Sequence, residues 1–378
     1  MPECMGSVKK QKKPDQGRLG QIIKTELTFT TTGCRGTIMK RMTRLGIAVL
    51  AMLGALSACG KGSSGDVAKN ESKGPRTLQL AHVSVEQSED MYHHLATNFA
   101  KRVEEQTKGG IKVQVLGGAQ LGGERDVAEG MQLGTVDMSL LASFTLGTFE
   151  KKAMVFDLPY LFKDYQTAFK TLDSSFTDPI EADLEKSGLK ILGWGHGGFR
   201  NLYNSKHAIR NLSDLSGMKV RTPESPIYVD TWRALGVNVT SMAYPELFTG
   251  LQQKTIDGAE NPTALFYTSR FYEAAPYLSR TEHVYVAIPL VISGRVWDTL
   301  SADEKAIFQK AASESVQEQR QFLIQSEAQI EKKLMDAGVS INADVDKAQF
   351  RKAVMPIYEK YKTVIDPDLV IRAAALSQ

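Results

Sequence analysis

Apolar and polar residues alternate with two different periods from residue 76 onward. The runs TLQLAHV, IKVQVL and VDMSLLA are short and apolar, which predicts three strands. Between them, SEDMYHHLATNFAKRVEEQT and ERDVAEGMQLGT have the spacing of helices. The first helix places Met91, Leu95, Phe99 and Val103 on one face. This β-α-β-α-β order favours an α/β domain with a largely parallel sheet.

A second set of alternating elements begins near residue 189. Strands are predicted at LKILGWG, NLYNS, MKVRT, VNVTSM, IDGAE and YVAIPLVIS. Helices are predicted around PIYVDTWRALG and YPELFTGLQQKT. Two α/β sets in one chain predict two lobes with a cleft between them.

The clearest helix begins at LSADEKAIFQKAASES. Ser301 is a good N-cap with Glu304 three residues later, which is a capping box, and Gly338 is a natural residue to follow the helix. At 1.5 Å per residue the helix would be about 55 Å long. We therefore expect it to bend or to bridge both lobes. Its apolar stripe contains Phe308, Ala312, Val316, Leu323, Ile330 and Leu334.

Charge is distributed unevenly over the 378 residues. The formal charge is +3, but residues 1–58 hold ten Lys and Arg against three Asp and Glu, which leaves −4 for the rest. The basic character therefore comes from the N-terminal segment. Because no basic stripe with interleaved aromatic residues follows, we exclude nucleic acid as a partner.

The segment MKRMTRLGIAVLAMLGALSAC accounts for this asymmetry. A positive start, a short apolar run and small residues before Cys59 resemble a lipoprotein signal peptide at 39–58, with Cys59 lipidated after cleavage. The alternative is an ordinary signal peptide beside a chance cysteine. Residues 1–38 are interpreted as an over-extended start, and the Gly/Ser-rich residues 59–75 as a flexible tether. The mature chain would contain only Cys59, which excludes disulfides and thiolate metal sites.

Motifs for catalysis are missing. The sequence has no G-x-S-x-G, H-E-x-x-H, P-loop or dinucleotide-binding motif, and its six histidines lack metal-ligand spacing. His93 and His94 are adjacent on a predicted helix and are expected to be solvated. We predict no catalytic residue, no metal and no cofactor.

Two arginines stand at the ends of apolar runs. Arg200 follows GGF, and Arg221 follows MKV. A guanidinium is planar, always charged and offers two parallel donors that match a carboxylate. From the residues alone, a structural ion pair with a nearby acid remains the alternative at each position.

Several stretches, taken in order, resemble the extracytoplasmic solute receptors of tripartite ATP-independent periplasmic (TRAP) transporters, the DctP-type binding proteins. The similarity covers the chain from Thr77 onward, with Ala259 where the family more often has Gln. It implies a two-lobe α/β periplasmic-binding-protein fold with a cleft and a long bridging helix. We expect lobe I at 76–197 and 287–325, and lobe II at 198–286 and 326–378. The stretches are GAQLGGERDVAEGMQLGTVDM, FDLPYLF, GFRNLYNS, DLSGMKVRTPESP, ALGVNVTSMAYPELFTGLQQKTIDGAENP and TEHVY.

The resemblance also implies a carboxylate site in lobe II. It assigns the ligand carboxylate to Arg221, with Arg200 as a second arginine and Asn261 as a neutral donor. The alternatives are a lobe-edge salt bridge at Arg200 and a turn-capping side chain at Asn261. Glu260 could accept from a ligand hydroxyl or support an arginine.

Five further residues match pocket positions of the family. His82, Glu124 and Ser143 lie at strand ends or turns of lobe I, where open α/β sheets bind ligands. Tyr244 and His283 match positions in lobe II. At each position a buried polar or aromatic core residue is an equal alternative.

The implied function is a solute-binding receptor that passes an organic acid to small and large integral membrane subunits in the periplasm, tethered through Cys59. The polar candidates favour a sugar acid, a hexuronate or aldonate, over a C4-dicarboxylate. Arg125 is the available second cation for a dicarboxylate, but it is expected to face solvent. Two other hypotheses are an exported lipoprotein enzyme using His82 or His283 as a base, and a sensor that signals through a partner.

Overall fold

A computed structural model describes residues 75–376. The expected over-extended start, the signal peptide, Cys59 and the tether up to residue 74 lie outside the described residues. The chain divides into two units, residues 1–69 and residues 70–378, and every described residue belongs to the second. No helix within 75–376 is both long enough and apolar enough to cross a bilayer.

Nine strands form one mixed sheet. Their order across the sheet is β2-β1-β3-β8-β4-β7-β5-β6, and β9 pairs with β8 beside this path. The strands are β1 (Arg76–Ala81), β2 (Ile111–Leu116), β3 (Met138–Leu140), β4 (Leu189–Asn204), β5 (Lys219–Thr222), β6 (Asn238–Ser241), β7 (Gly258–Pro262), β8 (Tyr277–Ser293) and β9 (Ser340–Asn342).

Two long antiparallel strands connect the halves of this sheet. β4 and β8 have 16 and 17 residues, and they pair from Leu189 opposite Ser293 to Asn204 opposite Tyr277. β1 to β3 attach at one end of this ladder and β5 to β7 at the other. The stretches predicted as separate strands at LKILGWG and NLYNS are therefore one strand, in which register shifts accommodate the glycines between them.

The parallel sheet predicted for the first set is confirmed within β1, β2 and β3. It does not stand alone, because β8 joins β3 antiparallel and continues to β4. In the second set, β5 is parallel to β6 and β7, whereas β7 is antiparallel to β4. Both predicted α/β sets thus share one mixed sheet within a two-lobe architecture.

Thirteen α-helices lie within the described residues, together with short 3-10 turns such as Lys151–Asp157. They are α1 (Met91–Gln106), α2 (Glu124–Leu133), α3 (Ser143–Leu146), α4 (Tyr165–Leu172), α5 (Asp178–Lys186), α6 (Pro226–Ala234), α7 (Leu247–Gln252), α8 (Thr263–Thr268), α9 (Gly294–Asp298), α10 (Ala302–Asp336), α11 (Lys347–Val354), α12 (Pro356–Ile365) and α13 (Pro367–Leu376).

The long helix α10 has the predicted ends. Ser301 accepts from the backbone N–H of Glu304, whose side chain accepts from Ser301 N–H, and Gly338 takes the left-handed φ of 88° just beyond the helix. All six residues of the predicted stripe are buried. With 35 residues, α10 is about 52 Å long.

Three apolar cores hold the elements together. One packs α1 against β1 to β3 and the first half of α10. Another packs α7, α8 and β7 against the last turns of α10. The third joins the 3-10 turn Lys151–Asp157 and α6 to α12 and α13. Because α10 contributes to two of these cores, the prediction that it bridges the halves of the sheet is confirmed.

Candidate functional site

Arg221 is a buried cation at the end of β5. It is 2% exposed, and its Nε and Nη2 donate to the carbonyl oxygen of Met242 at 2.9 and 2.6 Å. Within residues 75–376 it forms no ion pair, and its Nη1 has no hydrogen bond. Burial lowers the pKa of Arg221. The charge of Glu260 acts on Arg221 in the other direction, but without an ion-pair partner the guanidinium is prepared to bind an anion.

Arg200, on β4, is neutralised inside the protein. Its Nε contacts Glu260 Oε2, and its Nη2 donates to Glu260 Oε1 at 3.0 Å and to the Glu260 carbonyl at 2.5 Å. The two side chains are 3% and 0% exposed. Burial opposes ionisation of Glu260, but the charge of Arg200 and the hydrogen bond from His283 hold its pKa below the usual value. The structure thus shows the salt bridge that was the alternative at Arg200, with Nη1 left without a hydrogen bond to any described residue.

His283 supports this ion pair from behind. Its Nε2 lies 3.1 Å from Glu260 Oε2 and its Nδ1 lies 2.9 Å from Thr281 Oγ1. Burial lowers the pKa of His283, so the ring is neutral, with Nε2–H donating to the carboxylate and the Thr281 hydroxyl donating to Nδ1. Both ring nitrogens of His283 thus have partners inside the protein.

Asn261, at the end of β7, links the pair to its surroundings. With its amide oriented to satisfy both ends, Nδ2 donates to the Glu260 carbonyl at 3.0 Å and to the Tyr203 hydroxyl at 2.8 Å. Its Oδ1 then accepts from Arg200 Nη2 at 3.3 Å. Asn261 therefore lies in one hydrogen-bonded group with Arg200 and Glu260. We call these three residues and Arg221 the arginine site.

Glu124 is the first residue of α2 and lies near the arginine site. Its Oε1 accepts from Ala142 N–H at 3.0 Å and from the Tyr92 hydroxyl at 3.1 Å, while Oε2 accepts from Thr145 Oγ1 at 2.7 Å. Burial raises the pKa of Glu124, and the charge of Arg200 acts in the other direction. The side chain is half-buried. The carboxylate is thus fixed within electrostatic reach of Arg200.

The other three candidates are buried or half-buried with internal partners. His82 lies 3.2 Å, Nε2 to Nδ1, from His93, and burial lowers the pKa of His82 to about 4. Ser143 Oγ accepts from Ala287 N–H at 3.3 Å. The Tyr244 hydroxyl lies 2.5 Å from Ser269 Oγ.

The structure corrects one prediction in this region. His93 and His94 are half-buried rather than solvated. His93 contacts the ring of His82, and the ring of His94 stacks on Phe322 at 3.9 Å. Apolar and aromatic side chains on α10 cover this part of α1, which the adjacent pair in the sequence does not reveal. Arg125 is 55% exposed and pairs with Glu129, as expected.

Aromatic rings from two elements enclose Arg200. Its guanidinium carbon lies 5.6 Å from the ring centre of Phe144 on α3 and 5.4 Å from that of Tyr228 on α6. The Tyr228 hydroxyl and Thr222 Oγ1 are buried without a hydrogen bond to any described residue. The sequence analysis missed these residues because aromatic residues on an amphipathic helix are typical of a core.

Asp157 was also missed. It accepts from Ser225 Oγ at 2.6 Å, its other oxygen has no partner among residues 75–376, and burial raises its pKa to about 7. A single acid inside the apolar run AMVFDLPYLF was the available signal. No group of three or more His, Cys, Asp or Glu residues within 75–376 has the geometry of a metal site.

Comparison with known proteins gives consistent relatives. The family described as bacterial extracellular solute-binding protein, family 7, matches residues 81–363. The 2,3-diketo-L-gulonate-binding periplasmic protein of Escherichia coli K12 is 31% identical over 265 residues, which is 70% of this chain and 81% of that protein.

Two solved structures are similar over nearly their whole length. A TRAP periplasmic solute-binding protein from Polaromonas sp. JS666, bound to D-erythronate, is 36% identical with a TM-score of 0.77, covering 79% of this chain and 98% of that one. The sugar acid binding protein of Advenella mimigardefordensis, in complex with galactonate, is 30% identical with a TM-score of 0.77, covering 80% and 98%.

Proposed function

Because the chain belongs to the bacterial extracellular solute-binding proteins of family 7, we propose that it binds a sugar acid through the arginine site and delivers it to TRAP membrane subunits. The family consists of substrate-binding receptors, and the chain is accordingly a receptor and not an enzyme. The ligand is captured and released chemically unchanged.

The observation that supports this function best is that Arg221 is a buried cation without an ion-pair partner among the described residues. A ligand carboxylate at Nη1 would supply the missing counter-charge, and each charge-assisted hydrogen bond contributes about 1.5–3 kcal/mol. A micromolar dissociation constant corresponds to about 8 kcal/mol, so Arg221 supplies a large share and hydroxyl contacts the remainder. Because Met242 fixes the guanidinium, little side-chain entropy is lost on binding.

The residues around Arg221 have graded roles in this proposal. Arg200 contributes its Nη1, while Glu260 and Asn261 fix its orientation. His283 acts through Glu260 and does not touch the ligand. The Tyr228 hydroxyl and Thr222 Oγ1 are further groups for ligand oxygens. His82, Ser143 and Tyr244 remain candidate contacts for ligand hydroxyls.

Glu124 favours a sugar acid over a C4-dicarboxylate. A second ligand carboxylate reaching α2 would meet the carboxylate of Glu124, and like charges in a partly buried site repel. A ligand hydroxyl can instead donate to Glu124. The erythronate and galactonate bound by the two similar structures are polyhydroxy monocarboxylates, which supports the same choice.

We propose that the lobes meet where β4 and β8 pass from one lobe to the other. Lobe I then contains 76–197 and 287–325, and lobe II contains 198–286 and 326–378. A register shift between His196 and Gly198, opposite Ala287 and Val286, supports this boundary. Closure of the lobes would bury the carboxylate away from water, where its pairing with arginine is screened less.

The family is extracytoplasmic, which places the protein in the periplasm. We further propose that a lipid at Cys59 tethers it to the membrane. Metabolic labelling with a palmitate analogue tests this anchor, because Cys59→Ser should lose the label and be released in soluble form. Labelling that persists in the variant would contradict the proposed anchor.

A thermal-shift panel of D-galactonate, D-erythronate, D-glucuronate, succinate and the uncharged galactitol tests the function. A ligand at 100 times its dissociation constant stabilises the folded state by about 2.7 kcal/mol, which a sugar acid should produce and galactitol should not. Arg221→Lys should lose most of the shift, although without ligand it should melt at the same temperature as the unmodified protein. The exposed Arg125→Lys should keep the shift. Normal binding by Arg221→Lys would refute the assignment, and a preference for succinate would favour the dicarboxylate alternative.

A further inference from the structure

A groove separate from the arginine site lies between α10 and the middle of the β4–β8 ladder. Its enclosed part has a volume of about 40 Å³, and the open mouth brings the total space to about 530 Å³. None of the residues of the arginine site lines it. Six of its lining residues define what we call the helix groove: Tyr165, His196, Phe199, Leu323, Glu327 and Ile330.

His196 is a buried residue that presents a ring nitrogen to the groove. The residue is 3% exposed, its Nδ1 lies 2.9 Å from the Tyr285 hydroxyl, and its Nε2 has no hydrogen bond within residues 75–376. Burial lowers the pKa of His196 to about 3, so the ring is neutral. When Nδ1–H donates to the Tyr285 oxygen, the lone pair of Nε2 is available to a donor in the groove.

Glu327 provides an acidic group without an ion-pair partner among the described residues. Its Oε1 accepts from the Tyr165 hydroxyl at 3.1 Å, and it forms no ion pair with any described residue. Burial raises the pKa of Glu327, and the charge of Arg280 acts in the other direction. The other two carboxylates of the groove are already paired, Glu331 with Arg280 and Glu282 with Lys347.

Aromatic and apolar surfaces complete the groove. The rings of Tyr165 and Phe199 stack with centres 5.2 Å apart, and Tyr165 also lies edge-on to His196 at 4.7 Å. Tyr165 thus contacts both the imidazole and the carboxylate of Glu327. Leu323 and Ile330 flank Glu327 on one face of α10. Ring faces beside an uncompensated carboxylate bind organic cations in preference to anions.

We infer that the helix groove is a second ligand site, which binds a small organic ammonium ion with an aromatic or aliphatic body. The ammonium group donates to Glu327 and to His196 Nε2, and the body packs on Tyr165, Phe199 and Leu323. This ligand is opposite in charge to the one proposed for the arginine site, so the two bind without competition.

Isothermal titration calorimetry with 2-phenylethylamine at neutral pH tests this inference. Its ammonium form should bind the purified protein, while 3-phenylpropionate and 3-phenylpropan-1-ol, which have the same ring with an anionic or a neutral end, should not. Glu327→Gln should weaken binding about tenfold, equal to 1.4 kcal/mol. Glu314→Gln is the matched control, since Glu314 lies on the same helix outside the groove, where its 42% exposed side chain contacts Arg102, Lys310 and Gln106.

The remaining outcomes each contradict the inference. They are the absence of binding at millimolar amine, equal binding of the alcohol, unchanged affinity in Glu327→Gln, and displacement of the amine by D-galactonate. Both glutamate variants should keep the melting temperature and the sugar-acid shift of the unmodified protein. A loss of amine binding in Glu327→Gln is therefore local to the groove. If the inference about the helix groove fails, the proposed receptor function still stands.

Discussion

The ion pair between Arg200 and Glu260 should be essential to stability although it lies at the binding site. Glu260→Ala removes the carboxylate and leaves a guanidinium whose side chain is only 3% exposed. Removing one partner of a buried pair costs about 3–5 kcal/mol, because the remaining charge stays buried without compensation. At about 2–4 °C per kcal/mol, the melting temperature should fall by roughly 10 °C.

An exposed pair of the same kind provides the control. Arg210 Nε lies 2.7 Å from Asp344 Oδ2, and the two side chains are 56% and 62% exposed. Asp344→Ala should cost less than about 1 kcal/mol, since water screens this pair. Urea denaturation of both variants measures the difference. The reasoning is refuted if Glu260→Ala costs no more than Asp344→Ala.

Two further results would separate charge from packing. The double variant Arg200→Met with Glu260→Leu should recover much of the lost stability, because an apolar replacement of a buried pair is often neutral. The folded-state pKa of Glu260 is lowered, so the stability it contributes is present at neutral pH and is lost as the pH falls through that pKa. A double variant as unstable as Glu260→Ala would show that shape, and not charge, dominates.

Two other predictions test separate features. Burial raises the pKa of Asp157 to about 7, so stability should fall as the pH rises from about 4 to about 7, by up to about 4 kcal/mol, and Asp157→Asn should abolish this slope in urea titrations at several pH values. An unchanged slope would place the titration elsewhere. A Cβ at Gly258 would lie 2.3 Å from the backbone oxygen of Tyr203, so Gly258→Ala should cost about 3 kcal/mol or more. Gly217→Ala, at φ 73° with open space around it, should cost about 1 kcal/mol by thermal melting, and equal losses would contradict the clash.

The elements that the sequence predicts well are those specified by neighbouring residues. Both ends of α10 follow from Ser301, Glu304 and Gly338, which act within one helical turn. The continuity of β4 is not local, since the glycines at 193, 195, 197 and 198 are typical of a break. Pairing with β8, about 90 residues away along the chain, turns these glycines into register shifts within one strand.

The same limit applies to the arginine site. The family resemblance predicted that Arg221 faces a ligand, but the sequence does not show which of the two arginines is already paired. Arg200 and Glu260 are 60 residues apart, and β4 and β7 bring them together. The contributions of Tyr228 and Asp157 could not be predicted, because their surroundings form only when α6 packs on the 3-10 turn Lys151–Asp157.

The position of β8 in the sheet has a consequence for biosynthesis. β3 pairs with β8 from Met138 opposite Ile292 to Leu140 opposite Leu290, so the first half of the sheet cannot close until the ribosome has released roughly 150 further residues. Contacts between such distant segments form slowly. A protein that acts outside the cytoplasm has to cross a membrane, and we expect the late closure of this sheet to keep the chain unfolded for longer before that step.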